Sequence, residues 1–162
     1  MKYILTCTLL LLLLQLPAQH YQIVNNEVKI EKAILFKTGT DVLLPESDDA
    51  LTIIKKYLDE KTYISQLRVE CHADNTGNEA ATQLLTEKRA LAVCAKLVNM
   101  GVDCKRLLAV GFGSTKPVAD NNSAEGRALN WRTCFFNAAL RGKLIGGMPA
   151  DGGGKAAGLS CN

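Results

Sequence analysis

The densest chemistry in this chain lies in Cys71-His72-Ala73-Asp74-Asn75-Thr76-Gly77-Asn78, with Arg89 a little further on. A thiol, an imidazole and a carboxylate this close together raise a nucleophilic or a metal reading. Both are weak. Neighbours along a strand alternate faces, so Cys71 and His72 point apart and make no Cys–His pair. His72 and Asp74 share a face, but no further ligand stands at a recognised metal spacing. There is no C-x-x-C, and Gly113-Ser114-Thr115-Lys116-Pro117 lacks the second glycine-lysine pair and the following helix of a phosphate loop, so it reads as a turn. The acid and the arginine offer different chemistry. Asp74 falls where a strand ends and Gly77-Asn78 turns the chain into a helix, whose free N–H groups favour anionic atoms. Arg89 projects from that helix about three turns in. A carboxylate accepts from an ammonium group, and a guanidinium donates twice to a carboxylate, so the pair could hold a zwitterion. The same two residues could close an internal salt bridge; spacing leaves both readings open.

The elements that must position them follow from periodicity. Residues 28–36, VKIEKAILF, have strand character, with Ile30, Ile34 and Phe36 on one face. Pro45-Glu46-Ser47-Asp48-Asp49 opens a helix, since proline suits a first helical position and acids complement the exposed N–H groups. Leu51, Ile54 and Leu58 continue it at helical spacing. Residues 66–73 form a second strand with Leu67, Val69, Cys71 and Ala73 on one face. The longest helix runs from Asn78 to about Met100, where Gly101 stops it. Leu84, Ala90, Leu91, Val93, Cys94, Leu97 and Val98 form its apolar arc, and Arg89 borders that arc. Residues 107–113 make a third strand, 114–129 a polar loop and 132–140 a fourth strand. The expected class is α+β, in the order β-α-β-α-β-β, a mixed sheet with helices on one face.

Composition sets the frame. The chain has 162 residues, 48% hydrophobic and 22% charged, which describes one folded domain with short extras. A formal charge of +3 without a basic run gives no nucleic-acid footprint. Lys2 followed by the apolar run 3–16 and Pro17-Ala18 reads as a signal peptide, residues 1–18, too short to span a bilayer as a helix. Its removal takes Cys7 and leaves Cys71, Cys94, Cys104, Cys134 and Cys161, an odd number. Residues 19–27 are a short lead-in and 141–162 a glycine-rich tail with no fold of its own. The spacing suggests a Cys94–Cys104 disulfide. Cys161 would tie the tail to the domain or link to another chain.

Asp74-x-x-Gly77-x-x-x-x-Thr82-x-x-Leu85-Thr86-x-x-Arg89-Ala90-x-x-Val93 resembles the signature of the OmpA/MotB C-terminal domain family, which binds peptidoglycan. Phe36, Leu44 and Pro45 match the family's opening. Gly111, Gly113, Pro117, Asn121, Gly126, Arg127, Asn130 and Arg132 match its closing pattern, so the resemblance covers residues 28–140. It implies non-covalent, non-enzymatic binding of the diaminopimelate residue of the stem peptide, with no cofactor. By resemblance Asp74 binds the ligand's amine and Arg89 its carboxylate. Arg132 matches a second arginine near the pocket, and Thr38, Gly39 and Ala73 match groove positions that act mainly through backbone. The family's threonine before the acid is Ala73 here, its helix asparagine is Thr82, and the first residue of its Arg-Arg pair is Trp131. The alternative is an envelope protein that keeps the fold for structural or interaction purposes without the ligand. Either way the expected place is the periplasm, with outer-membrane association through a partner protein and no transmembrane segment once the leader is removed.

Overall fold

The computed structural model describes residues 20–145, 152–158 and 161. The leader expected at residues 1–18 lies outside them. Two short strands, β1 (Tyr21–Val24) and β2 (Glu27–Ile30), form a hairpin where a lead-in was expected. Its turn is Asn25-Asn26, with φ of 51° and 67°. Two-residue hairpin turns of this kind need positive φ at both positions, which asparagine tolerates. The strand expected across 28–36 therefore ends at Ile30. Phe36 makes only an isolated bridge to Leu43.

A 3-10 turn at Pro45–Ser47 leads into α1 (Asp48–Glu60), which buries Leu51, Ile54, Tyr57 and Leu58. Next come β3 (Ile64–His72) and α2 (Glu79–Asn99), close to the expected bounds. A second 3-10 turn, Cys104–Arg106, precedes β4 (Leu107–Gly111). The stretch read as a polar loop contains a helix, α3 (Ala124–Asn130), started by Ser123, whose hydroxyl accepts from the Gly126 amide. The chain continues as β5 (Arg132–Leu140), β6 (Lys143–Leu144) and β7 (Lys155–Ala157).

The sheet order is β1-β2-β5-β3-β4-β7, with β6 on β5. Only β3–β4 is parallel, so the sheet is mixed, with helices packed on one face as expected. The core joins Leu51, Ile54 and Leu58 of α1 to Val93, Cys94 and Leu97 of α2 and to Leu67, Val69 and Phe135 of the sheet. Burying side chains of this size contributes about 1.5–3 kcal/mol each.

Two expectations are corrected in the packing. The disulfide is Cys104–Cys161, and Cys94 is a free, buried thiol. Cys94 points from α2 into the core, where no second thiol meets it. The tail instead adds β7 to the edge of β4 and brings Cys161 to the turn just before that strand. The tail is thus tied to the domain. Leu84, placed in the apolar arc of α2, is 51% exposed. The first turns of α2 turn Thr82, Gln83 and Thr86 inward, because they lie over the end of β4 and the residues just after it. Gln83 Nε2 donates to Gly111 O at 2.8 Å, and the Thr86 hydroxyl accepts from Gly113 N at 2.9 Å. A Cβ on Gly111 would sit 2.4 Å from the Glu87 backbone nitrogen, so only glycine allows this approach.

Candidate functional site

A groove of about 680 Å³ opens between the start of α2, the turn after Phe36 and Trp131. Thr38, Gly39, Thr82 and Arg89, four of the residues expected at a site, line it. Phe36, Gly77, Asn78, Ala81, Leu85 and Trp131 complete it. Each wall has a local cause. Asn78 caps α2 by accepting from Ala81 N at 3.0 Å, which sets the helix start beside the groove. Gly39, at φ 70°, closes a tight turn in which Lys37 N donates to Val42 O at 2.8 Å. That turn presents the Thr40 carbonyl to Arg89.

Arg89 is held on three sides. Its Nε donates to Thr40 O at 2.8 Å. Its guanidinium carbon lies over the Phe36 ring at 4.7 Å and over the Trp131 ring at 4.8 Å. Such cation–ring contacts contribute about 0.5–2 kcal/mol each. Burial lowers its pKa from the ordinary value, against the opposing effects of Cys71 and Asp41. No carboxylate among the described residues lies within salt-bridge distance of it. The internal Asp74–Arg89 bridge that spacing left open is not formed.

Asp74 stands beside the groove, 7% exposed, at the end of β3. Its Oδ1 accepts from the Thr76 amide at 3.1 Å and the Thr76 hydroxyl at 2.8 Å. Burial raises its pKa, but Thr76, the Trp131 indole and the charge of Arg127 outweigh this and hold the carboxyl below its usual range. Asp74 is therefore an anion stabilised mainly by neutral donors.

Three expected residues, Asp74, Ala73 and Arg132, are not in the groove wall. Ala73 is 1% exposed, and its amide donates to Gly113 O at 2.8 Å. Arg132 donates to Lys116 O at 3.0 Å and Asn130 O at 3.3 Å. It lines a smaller cavity of about 180 Å³ that shares Phe36, Arg89 and Trp131 with the groove. The sequence did not mark as groove residues Trp131, which counted as a departure, or Phe36, which counted as a strand residue and as part of the family's opening.

The Cys71–His72 pair separates as alternation requires. Cys71 Sγ lies 3.4 Å from Thr133 Oγ1, and burial pushes its thiol up to about 12. His72 faces the other way, 3.2 Å from Glu70 and stacked on Phe112 at 4.8 Å. Among the described residues no group of three or more His, Cys, Asp or Glu could hold a metal.

A mixed sheet backed by helices is also the fold of solved MotB and peptidoglycan-associated lipoprotein domains. The peptidoglycan-associated lipoprotein of Burkholderia pseudomallei shares the fold at a TM-score of 0.59 and 24% identity, over 65% of this chain and 89% of that one. The cell wall anchor of the T6SS from Pseudomonas aeruginosa matches at 0.62 and 29% identity, over 75% of this chain and 90% of that one. The OmpA family profile matches residues 35–131, and the chain belongs to the OmpA family. It is 37% identical over 110 residues to the outer-membrane lipoprotein YfiB of Pseudomonas aeruginosa, covering 68% of this chain and 65% of that protein. It is 54% identical over 65 residues to outer membrane porin F of the same organism, covering 40% of this chain and 19% of that protein. The chain thus spans less than two thirds of the length of these relatives. The family places it in the bacterial envelope, in the periplasm and associated with the outer membrane. Among the described residues no helix is long and apolar enough to cross a membrane.

Proposed function

We propose that this protein binds cell-wall peptidoglycan without covalent chemistry, holding the diaminopimelate residue of the stem peptide. Arg89 donates to the free carboxylate of that residue, and Asp74 accepts from its ammonium group. The observation that carries this reading is Arg89. It is a half-buried guanidinium, fixed by Thr40, Phe36 and Trp131, with no carboxylate paired to it among the described residues. A cation held this firmly loses little further freedom when a ligand supplies two acceptors in the plane of its fork. Asp74, ionised and supported by neutral donors, does the same for a cation. Thr38, Gly39 and Thr82 shape the groove between these poles.

The reading is one of recognition and gives no residue a catalytic role. With a pKa of about 12, the Cys71 thiol is not a thiolate at neutral pH, and His72 faces away from it. Attachment to the outer membrane would come through another envelope protein.

Cosedimentation with purified sacculi tests the proposal. Wild-type protein should pellet, and Asp74→Ala and Arg89→Ala should each lower the bound fraction at least tenfold in affinity. Sacculi with lysine in place of diaminopimelate should not compete. Binding that survives both substitutions sinks the assignment of the pocket. Wild-type protein that stays in the supernatant favours a purely structural envelope role.

A further inference from the structure

Trp131 has more contacts with the proposed site than any role as filler requires. It caps the C-terminus of α3 through its amide, which donates to Arg127 O at 3.2 Å, so its backbone is anchored. Its ring lies over the Arg89 guanidinium at 4.8 Å. Its indole N–H, the only polar group of the side chain, helps hold the Asp74 carboxyl below its usual range. It also lines both the groove and the 180 Å³ cavity behind it. One rigid side chain thus lies on the basic pole of the site and bears on the charge of the acidic one.

We propose that Trp131 is the specificity-determining residue of this groove. It fixes the spacing between Asp74 and Arg89, so that the site takes a ligand end carrying an ammonium and a free carboxylate on one carbon. An end whose carboxylate is amidated is refused. The inference rests on the peptidoglycan reading above and adds to it which chemical form of the stem peptide is chosen.

The argument is geometric. A ring over the flat face of Arg89 and a carbonyl on Nε leave the terminal nitrogens as the donors for a ligand. Two oxygens meet that edge. A carboxamide offers one oxygen and an NH2 group, which would face guanidinium N–H groups donor to donor. In a groove walled by Phe36, Leu85 and Trp131 that mismatch is poorly solvated, and an unpaired buried donor is costly. Were Arg89 free to swing, it could turn away and tolerate the amide. Trp131 is what prevents the swing on one face, while Thr76 holds Asp74 in place.

Trp131 is the single tryptophan of the chain, so its emission reports on the groove directly. The probes are L-Ala-γ-D-Glu-meso-diaminopimelate and the same tripeptide amidated on the distal carboxylate. Emission titration of the wild type, with calorimetry for all variants, should give at least tenfold tighter binding of the free acid. Trp131→Phe keeps a ring but loses the donor; it should weaken binding a few-fold and keep most of the preference. Trp131→Leu loses both and should reduce the preference to less than threefold, with far-UV circular dichroism unchanged. A wild type that binds both tripeptides equally overturns the inference while leaving the peptidoglycan reading standing. So does a Trp131→Leu protein that keeps the tenfold preference. If Trp131→Leu does not fold, Trp131→Phe decides: full wild-type affinity and preference show that the indole N–H sets nothing. A wild type that binds neither tripeptide removes the peptidoglycan reading and this inference together.

Discussion

Glu70 and Asp74 leave the same end of β3 and meet opposite fates. Glu70 is 4% exposed in its side chain, 2.6 Å from Arg68 and 3.2 Å from His72. Burial raises its pKa, but the His72 hydrogen bond and the Arg68 charge outweigh it and hold the carboxyl below its usual range. Asp74 has no cation within salt-bridge distance among the described residues, and Arg89, the partner that spacing left open for it, has no acid. In the first cluster charge is met within the fold. In the second, both signs are held in place and left for something outside. On the reading proposed above, the same chemistry serves stability within β3 and recognition just beyond its end.

The comparison breaks most readily at Glu70. Glu70→Ala removes one partner of a buried pair and should cost about 3–5 kcal/mol in urea unfolding. Asp74→Asn should change stability by about 1 kcal/mol or less and abolish sacculus binding. If the two substitutions destabilise alike, the division between a structural and a recognising carboxylate is wrong. The tail belongs on the structural side. The Cys104–Cys161 disulfide spans 57 residues and pins β7 to the edge of β4. Cys161→Ser should lower stability by about 2–4 kcal/mol and leave binding within about twofold.

Acid sharpens the same contrast. His72 is held below its ordinary value of 6.5 by burial first, with the Glu70 bond opposing and Arg132 adding to the effect. A histidine with a depressed folded pKa contributes stability that is full above 6.5 and is lost as pH falls below it. Glu70, depressed from 4.5, contributes stability that is full above that value and is lost as pH falls through the folded pKa. Both losses run in the same direction, so unfolding titrations should show two successive falls in stability on acidification. Glu70→Gln should erase the lower one. Asp74 lies below its usual range too, so sacculus binding should persist to a pH beneath that of an ordinary aspartate and then fail.

How far the sequence exposed all this depends on the element. The bounds of α2 were readable, because Asn78 and Gly101 act locally. Strand β3 was readable because Leu67, Val69 and Cys71 recur at even steps. The hairpin of β1 and β2 was not, since its first strand buries Tyr21 and exposes the next three residues, leaving no alternation to detect. Seven-residue α3 was masked by the polar residues that make its cap. The disulfide depended on where the tail returns, a tertiary fact that no spacing encodes. For the site, Arg89 and Asp74 were visible as charges, but Trp131 was visible only as a mismatch, because its role is to bear on both.

The finest test lies on one face of α2, where Thr82 and Thr86 stand one turn apart, both buried. The Thr86 hydroxyl donates to Gln83 O at 2.8 Å and accepts from Gly113 N at 2.9 Å, so both of its roles are filled inside the protein. Thr86→Val leaves a buried amide without an acceptor and should cost about 1–3 kcal/mol of stability. Thr82 lines the groove, and its hydroxyl has no hydrogen-bond partner among the described residues. Thr82→Val keeps its shape and should leave stability within about 0.5 kcal/mol, because no internal bond is broken. Binding of the free tripeptide should then weaken by about 1 kcal/mol, the worth of one hydrogen bond to the ligand. Measured by calorimetry, an unchanged affinity would mean that this hydroxyl never meets the ligand and that the groove reads its guest through the charged poles alone.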